Sequence, residues 1–202
     1  MLTRRTVLTA TLAAAAVSTL GVRSSLAEKI TKQEIFFDKD APVLGNPKGD
    51  VTVVEYFDYQ CPYCKKAHPM IKKVIKEDGN VRLVLKDWPV FGDASIFAAQ
   101  AVLGAAQIGK YETAMEALMK TSGKLSHEDV EKALTGAGLS IEKLAAAVNK
   151  NNDKISGLLD RNYNQAVALN FVGTPSFVIG STLFPGYLDE KGLKDAIAKA
   201  RK

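Results

Sequence analysis

The two cysteines of this 202-residue chain are separated by two residues, in the segment Cys61-Pro62-Tyr63-Cys64. Two cysteines placed at random in such a chain would stand three positions apart in roughly 1% of cases, so the spacing calls for a chemical explanation. Thiols this close in the chain can form a reversible disulfide with each other. The sequence therefore points first to thiol–disulfide exchange.

The position of the pair at the start of a predicted helix assigns different roles to the two thiols. Pro62 suits the first helical turn, where its lack of an amide proton costs nothing. Cys61 then lies at the helix N-terminus, where unpaired amides and the helix dipole favour a thiolate, so we expect it to be exposed and nucleophilic. Cys64, one turn later, is expected to be more buried and to attack a mixed disulfide from within the protein.

Other uses of the cysteine pair fit the residues less well. A static disulfide across so short a loop would constrain little of the unfolded chain. A structural zinc site requires four ligands, whereas Cys61, Cys64 and His68 supply three, and we expect His68 to be a partly exposed helix residue. Covalent haem attachment requires a histidine where this chain has Lys65, and a cysteine hydrolase would not need Cys64. The sequence predicts neither a bound metal nor a cofactor.

Glu55 is an acidic residue in an otherwise apolar segment just before the cysteine loop. Strand alternation places its side chain on the same face as Val51, Val53 and Phe57. Burial on that face would raise the pKa of the carboxyl, which could then accept or deliver the proton of the Cys64 thiol. Alternatively, the end of the strand lets the carboxylate reach solvent. The alternation by itself leaves both interpretations open.

The elements that position these residues follow from periodicity and turn signals. β-Branched and aromatic content predicts strands over 51–57 and 81–85, with a helix between them that ends at Gly79. From position 93 to about 169 the signals are helical. The predicted N-caps in that region are Asp93, Ser126 and Ser140.

Strand signals also occur at both ends of the region that follows the first 27 residues. Residues 35–37 are predicted to form a short edge strand. Residues 176–179 and 182–184 flank a Gly180-Ser181 turn, which fits a two-residue hairpin, and Asp189 is predicted to cap a last helix. The order of strand, helix, strand, helical block, hairpin and helix predicts an α/β fold with a helical insertion.

The first 27 residues have the composition of an export signal. Arg4 and Arg5 precede an apolar run over 7–20, and Ser25-Leu26-Ala27 offers a signal-peptidase site. The run is too short for a bilayer span of ~20 residues, so membrane anchoring is the weaker interpretation. The paired arginines also fit a twin-arginine signal, which leaves two export routes open. Either route delivers the protein across a bacterial inner membrane.

Removal of this leader changes the charge balance. The whole chain carries a formal net charge of +5, and the leader contains three arginines and no acidic residue, so +2 remains on 175 residues. So small a charge gives no indication of nucleic-acid binding. The composition, 47% apolar and 24% charged, is typical of a soluble globular protein. Five lysines are predicted to form a solvated helix face: Lys65, Lys66, Lys72, Lys73 and Lys76.

The segment from Val51 to Cys64, centred on Phe57-Asp-Tyr-Gln-Cys-Pro-Tyr-Cys64, resembles the DsbA-like thiol–disulfide oxidoreductases of the bacterial periplasm. The resemblance extends over nearly the whole chain after the leader, through 44–50, 86–89 and 173–177. It implies a thioredoxin fold with an inserted α-helical domain. The corresponding divisions are a signal peptide at 1–27, a thioredoxin-like domain at 28–92 and 161–202, and the helical insertion at 93–160.

The resemblance also implies roles for individual residues in the exchange reaction. Cys61 matches the attacking cysteine of the family and Cys64 the resolving one. Glu55 stands at the position of the family's buried acidic residue, which favours its role in proton transfer. Lys86 is implied as the partner of Glu55 in that relay.

Four residues are implied to contact the substrate. Pro175, which follows Thr174, matches a cis-proline that faces the active site, and Pro62 and Tyr63 lie between the cysteines. The strongly oxidising member of this family has Pro-His between its cysteines, so the tyrosine here removes a source of thiolate stabilisation and predicts a less oxidising couple. Pro-Tyr with threonine before the cis-proline is similar to the DsbG and ScsC branches, which act as isomerases, reductases or protectors of oxidised thiols.

The partners implied by the resemblance are exported proteins with thiols or disulfides and a membrane redox partner. The isomerases of this family assemble through a dedicated N-terminal segment, whereas here about 23 residues separate the leader from the first confident strand. We therefore expect a monomer, which favours oxidase or reductase work over isomerisation. The alternative function is a non-catalytic periplasmic protein that binds copper or zinc through its thiols, although the lack of a fourth ligand argues against it.

Overall fold

The computed structural model describes residues 30–202, so the signal peptide predicted over 1–27 lies outside the described residues. The strands in this part of the chain are β1 (Val43–Gly45), β2 (Val51–Phe57), β3 (Val81–Asp87), β4 (Ser176–Ile179) and β5 (Thr182–Pro185). The helices are α1 (Lys32–Phe37), α2 (Pro62–Asp78), α3 (Asp93–Ala106), α4 (Tyr111–Met119), α5 (His127–Gly136), α6 (Ile141–Lys150), α7 (Asn152–Ala168) and α8 (Glu190–Ala200).

The strands form one mixed sheet in the order β1-β3-β2-β4-β5. β2 and β3 are parallel and joined by α2, because parallel neighbours require a crossover connection, while the other pairs are antiparallel. Helices α2 and α8 pack on one face of the sheet, and α1 and α7 contact β2 and β3 from the other. The predicted α/β fold, a thioredoxin fold with inserted helices, is confirmed.

Helix α1 corrects the prediction of an edge strand over 35–37. The Thr31 hydroxyl accepts a hydrogen bond from the Glu34 amide (3.2 Å), and the Glu34 carboxylate accepts one from the Thr31 amide (2.7 Å). This reciprocal capping box satisfies free amides at the helix start. These capping hydrogen bonds favour a helix more strongly than the β-branched and aromatic content of 35–37 favours a strand.

The helical insertion follows the predicted pattern with one change at its start. Ser126 and Ser140 cap α5 and α6 as predicted, but Gly92 precedes α3 and Asp93 is its first helical residue. Helix α7 runs without a break across residue 160, so the predicted end of the insertion falls inside a helix that returns the chain to the sheet. Within residues 30–202, no helix combines the length and apolar character that a membrane crossing requires.

The C-terminal elements match their predictions. Gly180, with φ of 59°, begins the turn between β4 and β5. The Asp189 carboxylate accepts a hydrogen bond from the Gly192 amide (2.7 Å) and caps α8. The hairpin brings β4 beside β2, and thus brings the Thr174-Pro175 segment beside the cysteine loop.

Gly45 provides a test of the packing between β1, β3 and α2. Its φ is +70°, and a Cβ there would lie 2.5 Å from the Val81 carbonyl oxygen and 2.8 Å from Ile75 Cγ2. Gly123 has the same φ with open space around it. We predict that Gly45→Ala lowers the free energy of unfolding by roughly 1–3 kcal/mol more than Gly123→Ala, because only the first substitution adds a clash to the backbone strain. Urea unfolding measures both, and equal losses would contradict the packing described here.

Candidate active site

The start of α2 presents backbone amides to the sulfur of Cys61. Cys61 is the N-cap residue and Pro62 the first residue of the helix, as predicted. The Cys64 amide donates a hydrogen bond to Cys61 Sγ at 3.4 Å. Both cysteines are free thiols in this structure. The helix start is therefore arranged to stabilise negative charge on Cys61.

The contacts around Cys61 lower the pKa of its thiol to about 6. The largest cause is a hydrogen bond with the Cys64 side chain. Burial opposes it, and the amides of Cys64 and Tyr63 add further stabilisation. A thiol with a pKa near 6 is mostly thiolate at neutral pH, and the thiolate is the nucleophile.

The Cys61 side chain is covered in the reduced protein, contrary to the predicted exposure. The residue is only 2% exposed. The segment before β4 lies against it, and in its protonated form the Cys61 thiol donates a hydrogen bond to the Thr174 carbonyl oxygen at 3.1 Å. Access to the sulfur therefore depends on the loop that carries Thr174.

Of the four predicted substrate-contact residues, Thr174 contacts this sulfur directly through its carbonyl oxygen. The Thr174-Pro175 peptide bond is cis, as the resemblance implies, and Pro175 is buried. Pro62 and Tyr63 are exposed, and the Tyr63 ring lies 6.1 Å from that of Tyr187. The Thr174-Pro175 backbone thus lies on one side of the cysteine loop. Pro62 and Tyr63, on the loop itself, form an exposed rim.

Cys64 has the opposite electrostatic environment. It is fully buried, and burial raises the pKa of its thiol far above the ordinary value. The hydrogen bond that it donates to Cys61 and the nearby carboxyl of Glu55 raise that pKa further. The two thiols therefore have opposite environments: the pKa of Cys61 is lowered, and that of the buried Cys64 is raised.

Glu55 lies on the face of β2 that α2 covers. It is 1% exposed, and its Oε1 atom makes no hydrogen bond within the described part of the chain. Burial, and to a lesser extent the charge of Cys61, raise the pKa of this carboxyl to about 8. The prediction of a buried acid with a raised pKa is confirmed. The solvent-exposed alternative is wrong, because helices cover both faces of β2 up to Phe57.

Lys86 does not face Glu55, and its predicted place in a relay with that residue is wrong. In the parallel register Glu55 is opposite Leu85, so the next residue, Lys86, projects from the other face of the sheet. There its ammonium lies 3.8 Å from the Asp38 carboxylate and donates a hydrogen bond to the Glu34 carbonyl at 3.3 Å. Burial lowers the pKa of Lys86 to about 8, although Asp38 opposes that effect.

A buried carboxylate that we did not predict holds the turn before Cys61. Asp58 is 2% exposed and accepts four hydrogen bonds. Two come from the Gln60 amide and the Ser95 hydroxyl, both at 2.7 Å, and two from the amides of residues 90 and 91, at 2.7 and 3.1 Å. Four donors satisfy the oxygens of this buried carboxyl group in place of water.

The Gln60 side chain joins the same turn to the helical insertion. Its amide group donates to the Ser95 hydroxyl at 2.9 Å, and its carbonyl accepts from the Leu125 amide at 2.7 Å. The sequence offered one signal for this network, an Asp-x-Gln segment directly before the first cysteine, since aspartate often bonds the backbone two residues later. No sequence pattern indicated the distant partners in this network, which are Ser95, Leu125 and the amides of residues 90 and 91.

A second buried carboxyl shares the sheet face of Glu55. Asp87 is opposite Phe57 in the register, and burial raises the pKa of its carboxyl to about 7. The hydroxyls of Tyr59 and Tyr111 lie close to it, and burial also raises their pKa values. This face of the sheet therefore carries two acids that hold their protons more tightly than free carboxyls.

His68 is buried rather than partly exposed, because α4 packs against α2. Its Nε2 atom lies 2.8 Å from the Glu116 carboxylate. Burial lowers the pKa of the imidazole, and Glu116 opposes that effect. Within residues 30–202, no three cysteine, histidine or acidic side chains have the arrangement of a metal site.

The raised pKa of Glu55 makes the stability of the fold depend on pH. Between pH 4.5 and about 8 the native carboxyl keeps its proton while that of the unfolded chain ionises, so the free energy of unfolding falls as pH rises. We predict that Glu55→Gln removes much of this fall and unfolds at higher urea concentration than the unsubstituted protein at pH 8 but not at pH 5. Asp87 causes a similar fall that ends near pH 7, and the variant should retain it.

The exposed residue Glu131 provides the matched control for this experiment. Glu131→Gln makes the same chemical change without altering a buried group, so its urea midpoints should follow those of the unsubstituted protein at both pH values. A Glu55→Gln profile equal to that of the control would show that Glu55 is not a buried acid.

Known proteins are similar to this chain in sequence and in fold. Residues 38–199 match the family model described as thioredoxin. A thioredoxin-like oxidoreductase from Silicibacter pomeroyi DSS-3 is 42% identical, with a TM-score of 0.82, and the match covers 85% of this chain and 98% of that one. The thiol-disulfide exchange protein α-DsbA2 from Wolbachia pipientis is 28% identical, with a TM-score of 0.77 over 83% of this chain and 90% of that one.

The curated relatives are longer than this chain. A putative protein-disulfide oxidoreductase from Rickettsia typhi (strain ATCC VR-144 / Wilmington) is 28% identical over 167 residues, which are 78% of this chain and 61% of that protein. The chain also spans 26% of the length of curated Na⁺/H⁺ antiporters. The family model covers most of the chain and the solved structures match nearly end to end. The chain therefore belongs to the thioredoxin family.

Proposed function

We propose that this protein exchanges disulfides with exported proteins through the Cys61–Cys64 pair. The observation that carries the proposal is the contrast between the two thiols. Cys61, with a pKa of about 6, lies beside the Thr174-Pro175 segment, while the thiol of Cys64 stays neutral behind it. This contrast separates a nucleophile from a resolving thiol, as exchange chemistry requires.

The reaction in the reducing direction proceeds in two steps. The Cys61 thiolate attacks a client disulfide, which forms a mixed disulfide and releases one client sulfur as a thiolate that takes up a proton. The Cys64 thiol then loses its proton and attacks the Cys61 sulfur, which forms the Cys61–Cys64 disulfide and releases the second client sulfur. The oxidising direction reverses both steps, with a client thiolate attacking Cys61 and Cys64 leaving.

Glu55 is the group that exchanges the proton of Cys64. Its carboxyl contributes to the electrostatics of the buried thiol, and burial keeps competing water away. With a pKa of about 8, Glu55 is mostly protonated at neutral pH and can give its proton to Cys64 as that sulfur leaves. This state favours the step that oxidises a client. The ionised fraction serves the opposite step as a base.

The client chain would lie along Thr174 and Pro175 and contact the exposed rim of Pro62 and Tyr63. The Thr174 carbonyl oxygen accepts a hydrogen bond from the protonated Cys61 thiol, and it becomes available to a client when that sulfur ionises or forms a mixed disulfide. We place the protein in the periplasm as a monomer with a membrane redox partner. The signal sequence over 1–27 supports export, and an oxidising compartment allows reversible disulfides.

Substitution of each cysteine separates the two steps. We predict that Cys61→Ser abolishes reduction of an insulin disulfide, whereas Cys64→Ser still attacks and accumulates a mixed disulfide that a non-reducing gel resolves. Retained turnover in Cys61→Ser would rule out the mechanism. Stoichiometric copper or zinc binding together with negligible turnover of the unsubstituted protein would favour the metal-binding alternative.

Substitution of Glu55 should slow only the step that uses Cys64. We predict that Glu55→Gln slows release from a preformed mixed disulfide by about tenfold or more, because the buried thiol loses its proton acceptor. The rate at which Cys61 is alkylated at neutral pH should change little. Glu131→Gln is the control on the surface, and equal slowing of both steps in Glu55→Gln would indicate a structural role instead.

A further inference from the structure

Lys65 follows the cysteine pair and lies one helical turn after Cys61. Its amide donates a hydrogen bond to the Cys61 carbonyl oxygen at 3.1 Å. Side chains in a helix lean toward its N-terminus, so the stem of Lys65 runs back toward the turn that holds Cys61. The sequence placed Lys65 on a solvated lysine face, but the residue is partly buried.

Thr121, in the helical insertion, holds the ammonium of Lys65. Lys65 Nζ donates a hydrogen bond to Thr121 Oγ1 at 2.9 Å, and that hydroxyl donates in turn to the Leu118 carbonyl at 2.6 Å. Across residues 30–202 Lys65 forms no ion pair, whereas Lys72, two turns further along α2, pairs with two glutamates. The charge of Lys65 is therefore held in place by a neutral group and is not compensated by a direct carboxylate contact.

Two anionic groups lie within the field of this ammonium. Burial lowers the pKa of Lys65, and Asp58 and Cys61 oppose that effect. Asp58 has the larger effect of the two, and the Cys61 thiolate is the second anion that the ammonium stabilises. Cys64 and Glu55 are the other titratable groups near Cys61. The titratable groups that line the cleft with Lys65 are His68, Lys72, Glu116 and Lys120.

We propose that Lys65, oriented by Thr121, stabilises the Cys61 thiolate and makes the Cys61–Cys64 couple more oxidising. The proposal rests on the exchange function proposed above and names a residue that tunes it. The thiolate exists only in the reduced protein, so a cation beside it stabilises the reduced form and raises the tendency of the disulfide to take up electrons. A histidine between the cysteines would help to stabilise the Cys61 thiolate, and the tyrosine here does not. Lys65 would supply part of that missing stabilisation.

The test compares two neighbouring lysines on the same helix. We expect Lys65→Gln to lower the rate of Cys61 alkylation by iodoacetamide at pH 5 by about 3- to 10-fold, since thiolate is then the minor form and its fraction follows the thiol pKa directly. Lys66→Gln makes the same change of charge one residue later, on an exposed side chain, and should stay within about twofold of the unsubstituted protein. Titration of the thiolate by its ultraviolet absorbance gives an independent measurement.

Conservative and supporting variants separate charge from packing. Lys65→Arg keeps the charge and should stay within about twofold of the unsubstituted rate. Thr121→Val releases the ammonium and should lower the rate by about twofold. The exchange equilibrium with glutathione at pH 7 should shift about 3- to 5-fold toward the disulfide form in Lys65→Gln, because the thiolate is less stabilised.

Each outcome bears on a different part of the proposal. Equal alkylation rates for Lys65→Gln and Lys66→Gln would overturn it, and failure of Lys65→Arg to restore the rate would assign the effect to packing. If Thr121→Val is alkylated at the same rate as the unsubstituted protein, Thr121 of the helical insertion does not orient Lys65. Alkylation and titration need no client, so these results stand apart from the Cys61→Ser test of exchange itself.

Discussion

A negative charge on Cys61 has to be stabilised where water has little access, and the rest of the site depends on that constraint. The residue is 2% exposed, so the protein replaces the solvent with its own donors: the Cys64 thiol and the amides at the start of α2. These groups act only if the turn before the helix is held in place. The four hydrogen bonds to Asp58 hold that turn, which explains why this polar side chain is retained in the interior.

The register between β2 and β3 decides which titratable side chains lie on the same side of the sheet. Both strands are covered on both faces, so neither shows the clean alternation of a strand with one solvated face. Glu55 and Asp87 project toward α2 and the cysteines, whereas Lys86 projects toward α1. The α2 side of the sheet thus carries acids that hold protons, and the other side carries a buried ion pair.

Several elements of the fold could be predicted from the sequence because the signals for them are local. The Cys-Pro-x-Cys segment, the capping serines and the Gly180-Ser181 turn each act within a few positions, and all were predicted correctly. Lys86, which the resemblance implied as the partner of Glu55, lies on the other face of the sheet. Which residues of two strands share a face depends on their pairing, which is a long-range property, and one position reverses the direction of a side chain. The partners of Gln60 were invisible for the same reason, since they lie 31 to 65 residues away. The burial of Glu55 could be resolved only once the helices on both faces were known.

The contacts of Asp38, directly after α1, with Arg161 and Lys86 have a practical consequence. Asp38 accepts hydrogen bonds from Arg161 of α7 and lies beside the buried ammonium of Lys86, so the chain just after α1 is fastened on the side away from the cysteines. A fluorophore or a surface linker attached to the exposed Lys39 of this segment would lie on the side of the sheet opposite the cysteines. A sensor immobilised in this way would keep its sulfur pair turned toward the sample.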